Sequence, residues 1–236
     1  MLHPKVMRMI DQSSTFRTHP QLRAQRTGEY ILIITYGDTA TAEGAAAMLH
    51  RIHSRLTAVD PESGEEYGVL VPDYLLWVHN TLTWSTVRGF EAYGEGLTAR
   101  ERDQYVLEQH IAARLVGCDV AQVASTYDEL DRWVEQQLPL LAFTTEAIWF
   151  RDLMVPKGPQ KGLQAIVGQA LARAAVGTMA DDHRRLYGLA WPKWRDAVDH
   201  AAAAAIFKGI RSKISVPGIR AELDVKAFGA RNAPAE

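Results

Sequence analysis

Apolar residues recur along most of this chain at three- and four-residue spacing, the period that lines one face of an α-helix. Residues 20–36, PQLRAQRTGEYILIITY, open with proline at a first-turn position and stop before Gly37-Asp38, which predicts a helix. An alanine-rich helix is predicted over 39–57. The polar stretch VDPESGEEYGVLVP, 59–72, reads as a loop with a short extended piece at YGVLV. Pro72-Asp73 then opens a helix that runs to about Gly94, with Asp73 as cap or first-turn acid. Thr98 and Glu101 have the spacing of a capping box at the head of a helix over 97–117. A second cap-like threonine heads TYDELDRWVEQQL, 126–138. Two or three further helices are expected between Phe143 and Arg211, broken at 155–162 and 187–192. Alternating runs of strand length are few, and no repeat or linker marks a boundary. The pattern predicts a single all-α domain over residues 1–225, followed by a disordered tail over 226–236.

Charge and cysteine usage narrow the function classes. With 26 basic and 28 acidic residues the net charge is -2, so no global field points to nucleic acid or an anionic membrane. The single cysteine, Cys118, excludes an internal disulfide framework and a CxxCH haem attachment, and it reads as packing. No apolar stretch is long enough to span a bilayer, and the first residues lack the core of a secretory leader. The expected address is the cytoplasm.

Few residues carry recognisable chemistry. In LLWVHNTLTW, 75–84, one imidazole sits in an apolar run, with His79 sharing a helical face with Leu75, Leu76, Leu82 and Thr83. It is either a core histidine bonded to a carbonyl or to Thr83, or an axial ligand to a haem iron. Arg23, Arg26 and Thr27 fall at i, i+3 and i+4, on a stripe that continues through Tyr30, Ile31 and Ile34. The two arginines either snorkel to water past the helix end or build a polar pocket in its first turns. His50 and His53 form an HxxH pair that lacks a carboxylate, so a solvated helix face is the better reading. His110 is a lone helical histidine of uncertain facing. HExxH, ExxH, P-loop, GxGxxG and GxSxG patterns are absent, which removes the commonest zinc, di-iron, nucleotide and hydrolase readings. The six tryptophans read as structural packing.

Taken in order, several segments resemble the haem-dependent oxygenase family of the rubber oxygenase (latex-clearing protein) and the mpaB oxygenase. They are HPKV at 3–6, FRTHPQLRAQRT at 16–27, YGD at 36–38, RIHSRL at 51–56, PDYLLWVHNTL at 72–82 and HRRLYGLAWP at 183–192. The resemblance spans about residues 3–220 and implies an all-helical fold with a globin-like core. It implies that His79 is the proximal ligand of a non-covalent haem b. It also implies that Arg23, Arg26 and Thr27, which match an Arg-x-x-Lys-Thr cluster with arginine for lysine, lie on the distal side. There they would bond propionates or bound oxygen. The rubber oxygenase's distal glutamate has no obvious counterpart, because the first glutamate here is Glu29 and only Asp11 precedes it.

The leading expectation is a haem b-dependent oxygenase or peroxygenase acting on a small apolar substrate. A haem-binding or sensing module without turnover, and a cofactor-free helical interaction protein, are the alternatives. Because the first landmark stands at His3-Pro4, apolar surface near the start is expected to find another chain. A homo-oligomer with residues 1–20 at or near its interface follows from that.

Overall fold

Helix caps written in the sequence set most of the element boundaries. The computed structural model describes residues 2–13, 15–155, 158, 161–189 and 192–211. Among them run ten α-helices: α1 (Pro4–Ser13), α2 (Pro20–Tyr36), α3 (Thr39–His53), α4 (Pro72–Tyr93), α5 (Ala99–Val116), α6 (Tyr127–Gln136), α7 (Thr145–Met154), α8 (Leu163–Gly177), α9 (Asp181–Leu186) and α10 (Lys193–Arg211). The capping box forms as expected: the Glu101 amide donates to the Thr98 hydroxyl, and the Thr98 amide donates to the Glu101 carboxylate at 2.8 Å. Thr126 accepts from the Glu129 amide and Asp38 from the Thr41 amide, so α6 and α3 are capped in the same way. The fold is all-α, as the periodicity requires.

Three boundaries differ from the expectation. Residues 4–13, with no predicted element, form α1. The predicted 39–57 helix stops at His53, and its last residues become β1 (Thr57–Val59). β1 pairs antiparallel with β2 (Glu66–Gly68) in the register Ala58↔Tyr67. Four helices, α7 to α10, occupy the region where two or three were expected. The tail expected over 226–236 lies outside the described residues.

The described residues group into two compact units, one of residues 2–7, 80–107 and 124–211, the other of residues 8–79 and 108–123. The core of the first unit is built by Trp84, Val87, Val106, Leu130 and Val134. In the same unit α8 packs along α10. The Arg184 guanidinium meets the Asp196 carboxylate through two bonds of 2.9 and 3.0 Å, tying α9 to α10.

The second unit is organised by the α2–α3 hairpin. Tyr30 and Ile33 of α2 pack against Ala45 of α3, and the small buried alanines of α3 let the two helices approach closely. Gly37 makes the tight corner between them, since a Cβ there would come within 2.6 Å of the Ile33 carbonyl oxygen. The small sheet covers Met9 with Ala58 and Tyr67. Gln12 bonds both the amide and the carbonyl of Val59, occupying the edge of β1. The apolar positions of the chain's start, Leu2, Val6, Met7, Met9 and Phe16, are already buried within one chain.

Candidate functional site

Helix α4 buries the wrong side by the rule of polarity. His79 (6% exposed), Asn80 (1%) and Thr83 are buried beside Leu76 and Trp77, while Val78 (48%) and Leu82 (46%) face outward. The expected partnership of His79 with Leu82 on one buried face is thus corrected, and the buried companions of the imidazole include two polar residues. Burial, and after it electrostatic repulsion from His110 of α5, pushes the His79 imidazole down to a pKa of about 4. At neutral pH the ring is uncharged, the form in which it can donate a lone pair to a metal.

Asn80 escaped the sequence reading. Both ends of its buried amide, Oδ1 and Nδ2, lack a hydrogen-bond partner. A buried unsatisfied amide is expensive, so its presence calls for an explanation. The signal was available: in the apolar run the polar pair is His-Asn, not histidine alone. His183 of α9 was missed as well. It is buried, its Nδ1 carries no hydrogen bond, and its ring lies 5.7 Å from that of Trp84. Burial lowers its pKa as well.

The α2 cluster falls out only in part as the spacing predicts. Arg23 and Arg26 are half-buried, on a stripe that continues through buried Tyr30 and Ile33. Burial lowers the pKa of Arg23. Thr27 is exposed, and its hydroxyl donates to the Arg23 carbonyl at 3.0 Å, a local bond along the helix. Burial raises the Tyr30 phenol to a pKa of about 12, and its hydroxyl is buried without a hydrogen-bond partner. His53, half-buried at the end of α3, is lowered to about 4 by burial, then by the charges of Arg23 and His50. His50 itself is exposed. The second unit therefore holds two histidine-centred groups: Arg23 with His53 on α2 and α3, and His79 with His110 on α4 and α5.

The first unit contains a cavity of about 790 Å³ between α4, α7, α8 and α10. Its wall is largely apolar, with Phe90, Phe150, Met154, Leu171 and Phe207 among the residues that shape it. The volume lies in the range of roughly 300–1,000 Å³ usual for small-molecule sites. Among the described residues no group of three or more histidine, cysteine or carboxylate side chains could hold a metal ion. No helix among them is long and apolar enough to cross a membrane.

The chain belongs to the family described as ER-bound oxygenase mpaB/B'/Rubber oxygenase, catalytic domain, whose model matches residues 1–209. No curated protein and no solved structure matches it.

Proposed function

We propose that the chain is a haem b-dependent oxygenase or peroxygenase-like enzyme that acts on a small apolar substrate, with His79 holding the iron. The observation that carries this reading is the burial of a neutral imidazole at the position the family resemblance implies for the ligand. The donor set supports it: a site with one protein ligand suits haem, because the macrocycle supplies the equatorial donors. Bound haem would supply the one-electron and dioxygen chemistry that no side chain here provides.

The chain's own residues have the following parts. His79 offers a lone pair because its desolvated ring resists protonation. Arg23 and Arg26 present guanidinium groups from the first turns of α2, and these would bond a carboxylate or an oxygen anion. The charge of Arg23 also opposes protonation of His53, which keeps that ring a neutral acceptor. Thr27 contributes least, since its hydroxyl proton is given to the Arg23 carbonyl.

The test is an absorption spectrum and iron analysis of the purified chain after reconstitution with haem. One haem per chain with a histidine-ligated Soret spectrum is expected. A chain that takes up no haem, or binds it with the same spectrum after His79→Ala, would overturn the reading. His53, His110 and His183 would then be the ligands to examine.

A further inference from the structure

We infer that the cavity of the first unit is a binding site for a neutral, hydrocarbon-rich molecule, and that it excludes anions. Most of the polar groups in its wall are already hydrogen-bonded within the chain. Trp84 gives its indole N–H to Asp131 at 2.6 Å. The hydroxyls of Ser85 and Thr86 donate to the Leu82 carbonyl, and that of Thr178 donates to the Ala175 carbonyl. Tyr93 donates to the Ala174 carbonyl across the helix pair. The three hydroxyls thus turn onto their own helices, Tyr93 onto α8 and Trp84 onto a carboxylate; among the described residues the Tyr187 phenol, kept protonated by burial, is the one lining hydroxyl without a hydrogen bond, and it is uncharged.

Among the described residues the one charged side chain in the wall, Arg151, is engaged in the same way. Arg151 donates through Nε to Asp152 at 2.8 Å and through Nη1 to the Tyr187 carbonyl at 3.2 Å. Its guanidinium also lies 5.0 Å from the centre of the Phe143 ring. An anionic guest would have to break these bonds or enter without a counter-charge, and either is costly. A hydrocarbon-rich guest loses little by entering, because Tyr187 alone of the lining hydroxyls among the described residues could ask a hydrogen bond of it. Phe90 (47%) and Met154 (45%) line the cavity yet remain solvent-exposed, so a guest can reach it from water. Among the described residues no histidine lines it.

Calling the guest the substrate rests on the oxygenase reading above; the binding itself does not. The test titrates the whole chain with Nile red, a neutral apolar dye, and then displaces it with 1-dodecanol or with dodecanoate. Dodecanol should displace the dye at one equivalent, and dodecanoate should bind at least about tenfold more weakly. Gly89 supplies the decisive variant: it lines the cavity, and a Cβ built on it meets no atom within 4 Å. Gly89→Leu places a side chain in the guest's space while exchanging glycine for a better helix former, so the fold survives.

Dodecanol affinity should fall by about tenfold or more in Gly89→Leu, with an unchanged circular dichroism spectrum. Wild-type dodecanol binding in that variant, or equal binding of dodecanoate and dodecanol, overturns the inference. His79→Ala separates the two proposals. If it loses haem while Gly89→Leu binds dodecanol normally, the cavity inference alone falls. If it keeps haem while Gly89→Leu loses dodecanol, the haem ligand assignment alone falls.

Discussion

Around the cavity of the first unit, Trp84 is bonded to Asp131 and Tyr93 to the Ala174 carbonyl, whereas in the second unit the buried Tyr30 hydroxyl has no hydrogen-bond partner. One region surrounds an open space with polar groups that, Tyr187 aside, already have hydrogen-bond partners. The other holds buried Tyr30 and His79 and half-buried His53, where desolvation raises the phenol and lowers the two imidazoles, so that all three are held neutral. The difference teaches what each could receive. A satisfied wall accepts a guest that asks for nothing, and a desolvated imidazole or phenol is poised for a guest that brings a metal or a hydrogen bond of its own.

The largest effect that could break this comparison is on haem content. His79→Ala should give a folded chain with less than about a tenth of the wild-type haem, since one coordinate bond is lost while the apolar flank of α4 is kept. Pyridine haemochrome analysis of the purified variant reads this directly.

Next comes the pH dependence of stability. His79 and His53 have folded pKa values of about 4, against an ordinary value near 6.5. Between those limits the unfolded chain binds more protons than the folded one. Stability is therefore full above about pH 6.5 and is lost as the pH falls toward 4. Each histidine contributes a slope of at most about 1.4 kcal/mol per pH unit, less for the half-exposed His53. Urea midpoints that stay constant from about pH 7 to pH 4.5 would show that neither ring is desolvated.

A smaller effect sharpens the contrast on α4. Asn80→Leu removes a buried amide whose two ends are unpaired, so stability should rise by about 1 kcal/mol. For a chain of this size that is about 2–4 °C in Tm. A fall of the same size would mean that the amide is satisfied after all. The smallest effect concerns the α2–α3 group. Arg23→Leu removes the second-largest cause of the low His53 pKa and leaves burial, the largest, in place. The His53 pKa read by NMR should move up but stay below the ordinary value.

Helices with explicit signals were legible in the sequence: Pro20 at the start of α2, Thr98 with Glu101 before α5, and Thr126 before α6. So was the α2 stripe that carries Arg23, Arg26 and Tyr30, because spacing alone fixes which residues share a helical face. What spacing does not fix is which face turns inward when both are apolar enough to do so. Spacing groups Leu82 with His79 and Thr83 on one face, yet Leu82 turns outward while His79 and Thr83 are buried, and Asn80, which drew no reading, is buried with them. Thr27, at the edge of its stripe, went outward for the same reason. The cavity was invisible for a different reason. Its wall draws on α4, α7, α8 and α10, and no local pattern records a space enclosed by residues more than a hundred positions apart.

The hydroxyls of Ser85, Thr86 and Thr178, turned back onto their own helices, also decide how the cavity would choose among guests. With only the Tyr187 hydroxyl to offer a directional bond among the described lining residues, it has little means to tell one functional group from another by orientation. Selectivity would come from length and girth, with each added methylene worth about 0.8 kcal/mol, or about fourfold in affinity, until the space is full. Homologous chains would then be ranked by size, and uptake would carry the negative heat-capacity change of buried hydrocarbon.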